Sequence, residues 1–255
     1  YKILSEGPFE NVHIPPSPGD AGSAVGAAQY LYYVYHKNSK NTSDNTQLIQ
    51  ENVYVGPSYT NEEIKAFLDS KNISYESLNN TQLLHTTAQL IADGNVVGWY
   101  QGKMEWGPRA LGNRSILADP RRADMKDILN AKIKHRESFR PFAPSIMEEF
   151  ASEYFEIDVP SPYMLMVAPV KKPKEIPAVT HVDGTGRLQT VSKENNELYY
   201  NLINEFYKIT GVPVIINTSM NVMGEPIVNI PEQAYSMIVK TDMDYLVMGN
   251  FLVKK

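Results

Sequence analysis

The sequence predicts an α/β protein with a mixed sheet, because helical and extended hydrophobic patterns alternate along its second half. One set of apolar residues at helical spacing ends at Gly94. It is followed by an apolar run at residues 96–100, which indicates a helix and then a buried strand. A second stripe precedes the β-branched run at residues 212–217. The stripe residues are Leu84, Ala88 and Ile91 in the first helix and Tyr199, Leu202, Ile203 and Phe206 in the second.

Local signals predict the remaining elements in chain order. Thr60 and Glu63 have the spacing of a capping box at a helix start, and Pro231 suits the first position of another helix. In the N-terminal part we expect a short strand at 9–14, a helix from about Asp20, a loop at 36–47 and a short strand at 52–55. Further on we expect a helix at about 123–135, a strand at 163–170 and one or two strands at 245–253.

Composition restricts the class of protein and its compartment. The 255 residues suffice for one large domain or two small ones. Cysteine is absent, which excludes disulfides, thiolate metal sites and a cysteine nucleophile, and fits a cytoplasmic location. The longest apolar stretch, residues 21–35, is too short and too interrupted to span a bilayer, so no membrane association is expected.

Charge is unevenly distributed along the chain. The formal net charge is −5, yet residues 102–140 contain ten Lys or Arg against five Asp or Glu, a local charge of +5 that leaves −10 for the rest. One basic segment in an acidic protein favours a small anionic ligand over a nucleic-acid surface. The alternative is an ordinary surface loop whose arginines, including Arg109 and Arg114, pair with Glu105 and Asp119.

The predicted helix at 123–135 carries a lysine in its apolar stripe. Lys132 lies seven residues after Met125, about 20° away on an ideal helical wheel. Its ammonium is expected to point inward and to need an anionic partner, although a lysine stem can also pack while its head reaches water. Lys134, Arg136 and Arg140 extend the basic patch.

Three further motifs carry candidate site residues. Arg187 lies in a glycine-rich turn within residues 180–191. Asn217, Ser219 and Asn221 follow the strand at 212–217, where α/β sheets bind ligands, although ordinary turns use the same residue types. Asp20 is either a helix N-cap or a ligand of a metal or phosphate.

Five motifs, taken together, resemble the O-carbamoyltransferases of the NodU/CmcH type. In order they are PSPGDAGSAVGAA, GKMEWGPRALGNRSILADPR, KHRESFRPFAPS, THVDGTGRLQTV and NTSMNVMGEPIV, and the resemblance covers nearly the whole chain. It implies a YrdC-like twisted mixed sheet with flanking helices at residues 81–255. Residues 1–80 are then the end of an actin-like (ASKHA) domain and a linker, the rest of that domain lying upstream.

The resemblance also implies a chemistry and a set of site residues. The YrdC-like domain makes carbamoyl adenylate from ATP and carbamoyl phosphate, and the ASKHA domain passes the carbamoyl group to a hydroxyl of a small-molecule acceptor. Expected cofactors are Mg²⁺ with ATP and an Fe-like ion in the ASKHA domain, of which Asp20 would be one ligand. The implied catalytic residues are Lys132, Arg109 and Arg187, and the implied substrate-binding residues are Arg114, Lys134, Arg136, Arg140, Asn217, Ser219 and Asn221.

Two other function classes stay open on the sequence. YrdC-like folds also occur in tRNA modification, which would require a broad basic face with exposed aromatic residues. The −10 charge outside the basic segment disfavours this nucleic-acid role. A non-catalytic docking fragment is the other alternative, and a homodimer is the assembly we expect.

Overall fold

The computed structural model describes residues 2–10, 12–35, 53–135, 137 and 140–255. Its helices are α1 (Lys2–Glu6), α2 (Asp20–Tyr30), α3 (Asn61–Ser70), α4 (Asn80–Ala92), α5 (Met125–Leu129), α6 (Ala151–Tyr154), α7 (Lys193–Thr210) and α8 (Pro231–Lys240). Its strands are β1 (Glu76–Ser77), β2 (Val97–Tyr100), β3 (Arg114–Ala118), β4 (Ala143–Met147), β5 (Met166–Pro169), β6 (Thr185–Val191), β7 (Val214–Ser219), β8 (Tyr245–Met248) and β9 (Phe251–Lys254). Wider π-helical turns follow α2 at Leu31–Tyr35 and α5 at Asn130–Lys134, and 3₁₀ turns occupy Glu148–Phe150 and Pro177–Val179.

The nine strands of the described residues form one mixed sheet in the order β1–β9–β8–β2–β3–β7–β4–β6–β5. The pairs β2–β8 and β4–β6 are parallel and the others are antiparallel. The two central strands β3 and β7 join these parallel pairs, so the α/β class with a mixed sheet is confirmed.

Helices pack on the sheet through the predicted apolar stripes. In α7 all four stripe residues are fully buried, and α7 packs on α4 and on strands β4, β6 and β7. In α4 the buried residues are Leu83, Thr87, Ala88 and Ile91, while Leu84 is only half-buried. Burial of such stripes contributes the main favourable free energy of folding.

Local sequence signals place several boundaries correctly. The Glu63 backbone N–H donates to Thr60 Oγ1 at 3.2 Å, and the Thr60 N–H donates to Glu63 Oε2 at 2.8 Å, so the capping box opens α3. Pro231 occupies the first turn of α8, and the C-terminal apolar run splits into β8 and β9.

Two N-terminal runs predicted as strands are not strands in the described residues, because continuous pairing with another strand is not formed there. The described residues of 9–14 contain no strand. In the described part of 52–55, Tyr54 forms a single isolated β-bridge to Glu105. The predicted loop at 36–47 lies outside the described residues.

The predicted helix at 123–135 is α5 followed by the π-helical turn Asn130–Lys134. The His135 N–H donates to the Asn130 carbonyl at 2.7 Å, a five-residue step that is wider than an α-helical turn. Met125, Leu129 and Ile133 remain buried, but the wider turn changes the direction of the side chains between Leu129 and His135.

Candidate functional site

Lys134 is a buried lysine at the carboxyl end of β7. Its Nζ donates to the Ser219 carbonyl at 2.6 Å, to the Asn221 carbonyl at 2.8 Å and to Asn221 Oδ1 at 2.9 Å. Ser219 Oγ donates to the same Asn221 Oδ1 at 2.7 Å. Only 5% of Lys134 is exposed. The three neutral oxygens do not cancel the positive charge of the ammonium, so this corner of the sheet is suited to an anion.

Lys132 does not take the inward position that its spacing predicts. It is half-buried, and its Nζ donates to Asp244 Oδ1 at 2.7 Å and Oδ2 at 2.8 Å. A spacing of seven places Lys132 on the apolar stripe only in an α-helix, whereas the π-helical turn Asn130–Lys134 has more residues per turn and moves Lys132 off the stripe. The expectation of an inward-pointing Lys132 is therefore wrong, and Lys134 is the buried lysine.

Asn217 belongs to a buried polar cluster on the face of the sheet that α7 covers. Its Nδ2 donates to the Ala110 carbonyl at 3.1 Å, to Ser145 Oγ at 3.1 Å and to Gln189 Oε1 at 2.9 Å. Ser145 Oγ donates to Gln189 Oε1 at 2.7 Å. Asn217 is only 1% exposed, so its amide fastens strands β4, β6 and β7 to residue 110 rather than facing an open cleft.

The strand register brings several basic residues to the same edge as Ser219. Asn217 pairs with Ala143, so the chain ahead of β4, including Arg140, lies at the carboxyl end of β7. The parallel pair Ser145–Gln189 puts Arg187 opposite the start of β4. Arg187 is half-buried and Arg140 is exposed, with Arg140 Nε 3.0 Å from Glu137 Oε2. Lys134, Ser219, Asn221, Arg140 and Arg187 therefore share one edge of the sheet.

Arg114 is fully buried and serves the fold instead of facing a ligand. Its Nη1 donates to the carbonyls of Gln101 and Asn113, and its Nη2 donates to those of Pro57 and Gly102, at 2.5–3.2 Å. Its guanidinium also lies 3.8 Å from the Tyr100 ring centroid. Because carbonyls occupy both terminal nitrogens, the prediction that Arg114 clamps an anion conflicts with the structure.

Arg109 lies in the segment that we call the glycine-rich loop, residues 105–113. Its side chain is half-buried, and its Nε is buried without a hydrogen-bond partner among the described residues. Asp119 pairs with Arg121 Nη2 at 2.6 Å, and the Glu105 carboxylate receives backbone N–H groups, so neither acid neutralises Arg109. The alternative of an internally paired surface loop fails at this residue.

Glu105, Ser145, Gln189 and Tyr54 were missed as site residues by the sequence reasoning. The Glu105 carboxylate is buried, and burial raises its pKa above the ordinary value while backbone hydrogen bonds oppose that rise. Strand alternation could have shown that Gln189 shares a face with Arg187. No sequence signal marks Glu105 or Tyr54, because their partners are backbone groups of the glycine-rich loop.

The predicted metal ligand has no companions in the described part of the chain. Asp20 is the exposed first residue of α2, and its side chain forms no cap hydrogen bond. Among the described residues no three His, Asp or Glu side chains come together in a way that could hold a metal ion. One exposed carboxylate without such companions does not fit a metal centre. Arg136 lies outside the described residues.

Comparison with known protein families gives a consistent assignment. The profile of the Carbamoyltransferase C-terminus family matches residues 88–255, and that of the Carbamoyltransferase N-terminus family matches residues 1–29. The chain belongs to the carbamoyltransferase family. These matches confirm the resemblance drawn from the five motifs.

Curated relatives of this carbamoyltransferase chain are longer than the chain itself. Uncharacterized protein sll1178 of Synechocystis is 44% identical, and the match covers 100% of this chain and 45% of that protein. Nodulation protein NolNO of Sinorhizobium fredii is 45% identical, and the match covers 100% of this chain and 37% of that protein. Nodulation protein NolO of Bradyrhizobium diazoefficiens is 43% identical, and the match covers 100% of this chain and 46% of that protein. The chain thus spans less than half the length of these relatives.

Solved structures are more distant from this carbamoyltransferase chain. HypF in a phosphate- and nucleotide-bound form is 16% identical with a TM-score of 0.47, covering 67% of this chain and 25% of that one. Sua5 of P. abyssi with L-threonine is 16% identical with a TM-score of 0.48, covering 69% and 48%. The mixed sheet with flanking helices is seen directly in the structure. The bounds of the YrdC-like and ASKHA domains stay predictions.

No helix among the described residues is both long enough and apolar enough to cross a bilayer.

Proposed function

We propose that this chain is the carbamoyl-activating part of a carbamoyltransferase, which forms carbamoyl adenylate from ATP and carbamoyl phosphate. The observation that carries the proposal is the buried Lys134 ammonium beside Ser219 and Asn221, at the sheet edge that also holds Arg187 and Arg140. Two polyanionic substrates in one site repel each other, and a fixed cation with nearby arginines offsets that repulsion.

The proposed reaction has two balanced steps. Water cleaves carbamoyl phosphate to carbamate and inorganic phosphate. A carbamate oxygen then attacks the α-phosphorus of ATP, the bond from that phosphorus to the bridging oxygen breaks, and pyrophosphate leaves with the bond electrons. In this scheme Lys134 neutralises phosphate charge, Arg109, Arg140 and Arg187 bind equatorial or terminal oxygens, and the polar turn after β7 orients the adenylate. Mg²⁺ would accompany ATP as its counterion.

Transfer of the carbamoyl group to a hydroxyl acceptor belongs, in this proposal, to the longer polypeptide. The chain matches the N-terminus family only over residues 1–29 and spans under half of its relatives. The acceptor site, the Fe-like ion, a homodimeric assembly and a cytoplasmic location are part of the same proposal. Support for the cytoplasmic location is the absence of cysteine.

The decisive experiment is isotope exchange between labelled pyrophosphate and ATP. Adenylate formation is reversible, so exchange that depends on added carbamoyl phosphate or carbamate reports the second step. Titration calorimetry with ATP and with carbamoyl phosphate reports binding alone. We expect heat with both ligands and dependent exchange. Folded chain that gives neither heat nor exchange at millimolar ligand would refute the proposal.

A further inference from the structure

One oxygen of Glu105 organises the far end of the glycine-rich loop. Glu105 is only 3% exposed, and its Oε1 accepts the backbone N–H groups of Leu111 at 2.8 Å, Asn113 at 2.6 Å and Arg114 at 3.2 Å. Converging backbone N–H groups form a hollow that binds anions. Here the chain's own carboxylate fills that hollow, so the loop is closed on itself before any substrate arrives.

Side chains from other elements hold the carbonyl side of the same loop. Asn217 Nδ2 donates to the Ala110 carbonyl, while Gln189 Nε2 and the Tyr54 hydroxyl donate to the Leu111 carbonyl at 2.9 and 2.8 Å. The Gly112 N–H donates to Ser115 Oγ at 3.1 Å. The backbone from Ala110 to Arg114 is thus held by hydrogen bonds on both its N–H and its carbonyl side.

Arg109 is the basic residue of this loop. It immediately precedes Ala110, and it forms neither a hydrogen bond nor an ion pair with any described residue. On its other side Gly107 has a φ of +114° and lies close to Ser17, where an added Cβ would be 3.3 Å from Ser17 Oγ. A half-buried, unpaired guanidinium on a rigid loop is an arrangement that an anionic ligand completes.

We propose that Glu105 is a positioning residue that fixes the glycine-rich loop so that Arg109 presents its guanidinium to the anionic substrate; this rests on the proposed function. The other oxygen, Oε2, is also buried and has no hydrogen-bond partner in the described part of the chain, so neither oxygen of Glu105 is open to solvent. Its negative charge strengthens the three hydrogen bonds that it accepts. A neutral amide of the same shape would accept the same bonds more weakly and would bury two extra N–H donors.

The test is a double-mutant cycle that joins Glu105 to Arg109, with a second readout that needs no ligand. Hydrogen exchange of the peptide covering residues 106–114 is measured in ligand-free wild type, Glu105→Gln, Arg109→Ala and the double variant. Binding of MgATP is titrated in the same four proteins. A positioning role predicts faster exchange in both proteins with Glu105→Gln and unchanged exchange in Arg109→Ala. It also predicts about fivefold weaker MgATP binding in Glu105→Gln and no further weakening when this change is added to Arg109→Ala.

Each outcome of this test decides one claim. Unchanged exchange in Glu105→Gln, or equal weakening of binding by this change with and without Arg109, overturns the positioning role. Wild type that binds no MgATP overturns the proposed function, and exchange at 106–114 then still decides whether Glu105 fixes the loop. Glu105→Asp is the second variant if Glu105→Gln fails to fold. It keeps the charge but withdraws it from the three N–H groups, and we expect intermediate exchange and binding.

Discussion

Lys132 and Lys134 lie two residues apart and have different surroundings. Lys134 is buried with three oxygen acceptors, and Lys132 forms a half-exposed pair with Asp244. We expect Lys134→Met to weaken ATP binding about tenfold or more, because the buried positive charge that offsets the phosphate charge at this corner is lost. It should also lower the free energy of unfolding by about 1–3 kcal/mol, because buried carbonyl oxygens lose their donor. ATP titrations and urea unfolding measure the two effects.

Lys132→Met is the matched control for this experiment. Loss of its partly exposed ion pair should change the free energy of unfolding by at most about 1 kcal/mol and leave ATP binding close to that of wild type. If Lys132→Met reduces ATP binding more than Lys134→Met does, the role assigned here to Lys134 is wrong.

The buried Glu105 carboxyl should make stability depend on pH. Burial raises its pKa in the folded protein above that in the unfolded chain. The folded state therefore retains this proton to higher pH. The pH-dependent part of the contribution of Glu105 to stability is thus greatest below the unfolded pKa and is lost as pH rises through the folded pKa.

A comparison with Glu105→Gln isolates this contribution, since glutamine does not titrate. We expect the unfolding free energy of wild type minus that of Glu105→Gln to increase as pH falls from 7 towards 5. Urea unfolding at a series of pH values measures the difference. Surface carboxyls with lowered pKa, such as Asp69 and Asp124, are common to both proteins and cancel. A difference that stays constant or decreases on acidification contradicts the expectation.

At the scale of the element, the glycine-rich loop packs against α7 through Gly112. This glycine has a φ of +107°, and an added Cβ would come within 2.3 Å of the Tyr199 ring. Gly211, just after α7, also has a positive φ of +73° but has open space around it. Gly211→Ala should therefore cost about 1 kcal/mol of stability from backbone strain alone. Gly112→Ala should cost about 1–3 kcal/mol more from the steric overlap. Equal losses for the two variants in denaturant unfolding would show that the Tyr199 contact is not tight.

Regular elements were predictable from the sequence where hydrophobic period and caps agree. Helices α3, α4, α7 and α8 and strands β2 and β7 follow from such local signals. The direction of Lys132 was not predictable, because the wheel assumed α-helical geometry and the π-helical turn depends on tertiary packing. Arg114 and Asn217 were predicted to bind substrate, and both side chains are buried. Their side chains donate to backbone carbonyls, and several of these partners are distant in sequence, such as Pro57 for Arg114 and Ala110 for Asn217.

At the scale of the whole molecule, the basic segment is less positive in space than in sequence. Arg121, Arg122, Lys132 and Arg140 each form an ion pair with an acid close in space, so four of the ten positive charges are already partly offset. We expect ATP affinity to fall with salt by only about 3–10-fold between roughly 0.05 and 0.5 M NaCl, because few unscreened charges take part. Calorimetric titrations across this range measure the slope. Affinity that does not fall with salt would argue against a charge-driven site.

The chain is much shorter than its curated relatives, so part of the activity of a full-length relative is expected to need residues outside it. The chain covers 37–46% of the three relatives compared. We expect a polypeptide of the relatives' full length to carbamoylate a hydroxyl acceptor and this chain alone to leave the acceptor unmodified. Mass spectrometry of the acceptor detects the added carbamoyl group. Modification by the isolated chain would place the transfer step within these 255 residues.

The three oxygens around Lys134 Nζ also have an entropic consequence. An unrestrained lysine side chain loses roughly 1.5–2 kcal/mol of rotamer freedom when it is immobilised. Lys134 has already lost most of that freedom on folding, since Ser219 and Asn221 hold its ammonium in place. A phosphate that binds near this ammonium does not have to order the lysine side chain. Binding at this corner of the sheet should therefore carry a smaller entropy penalty than binding at a surface lysine.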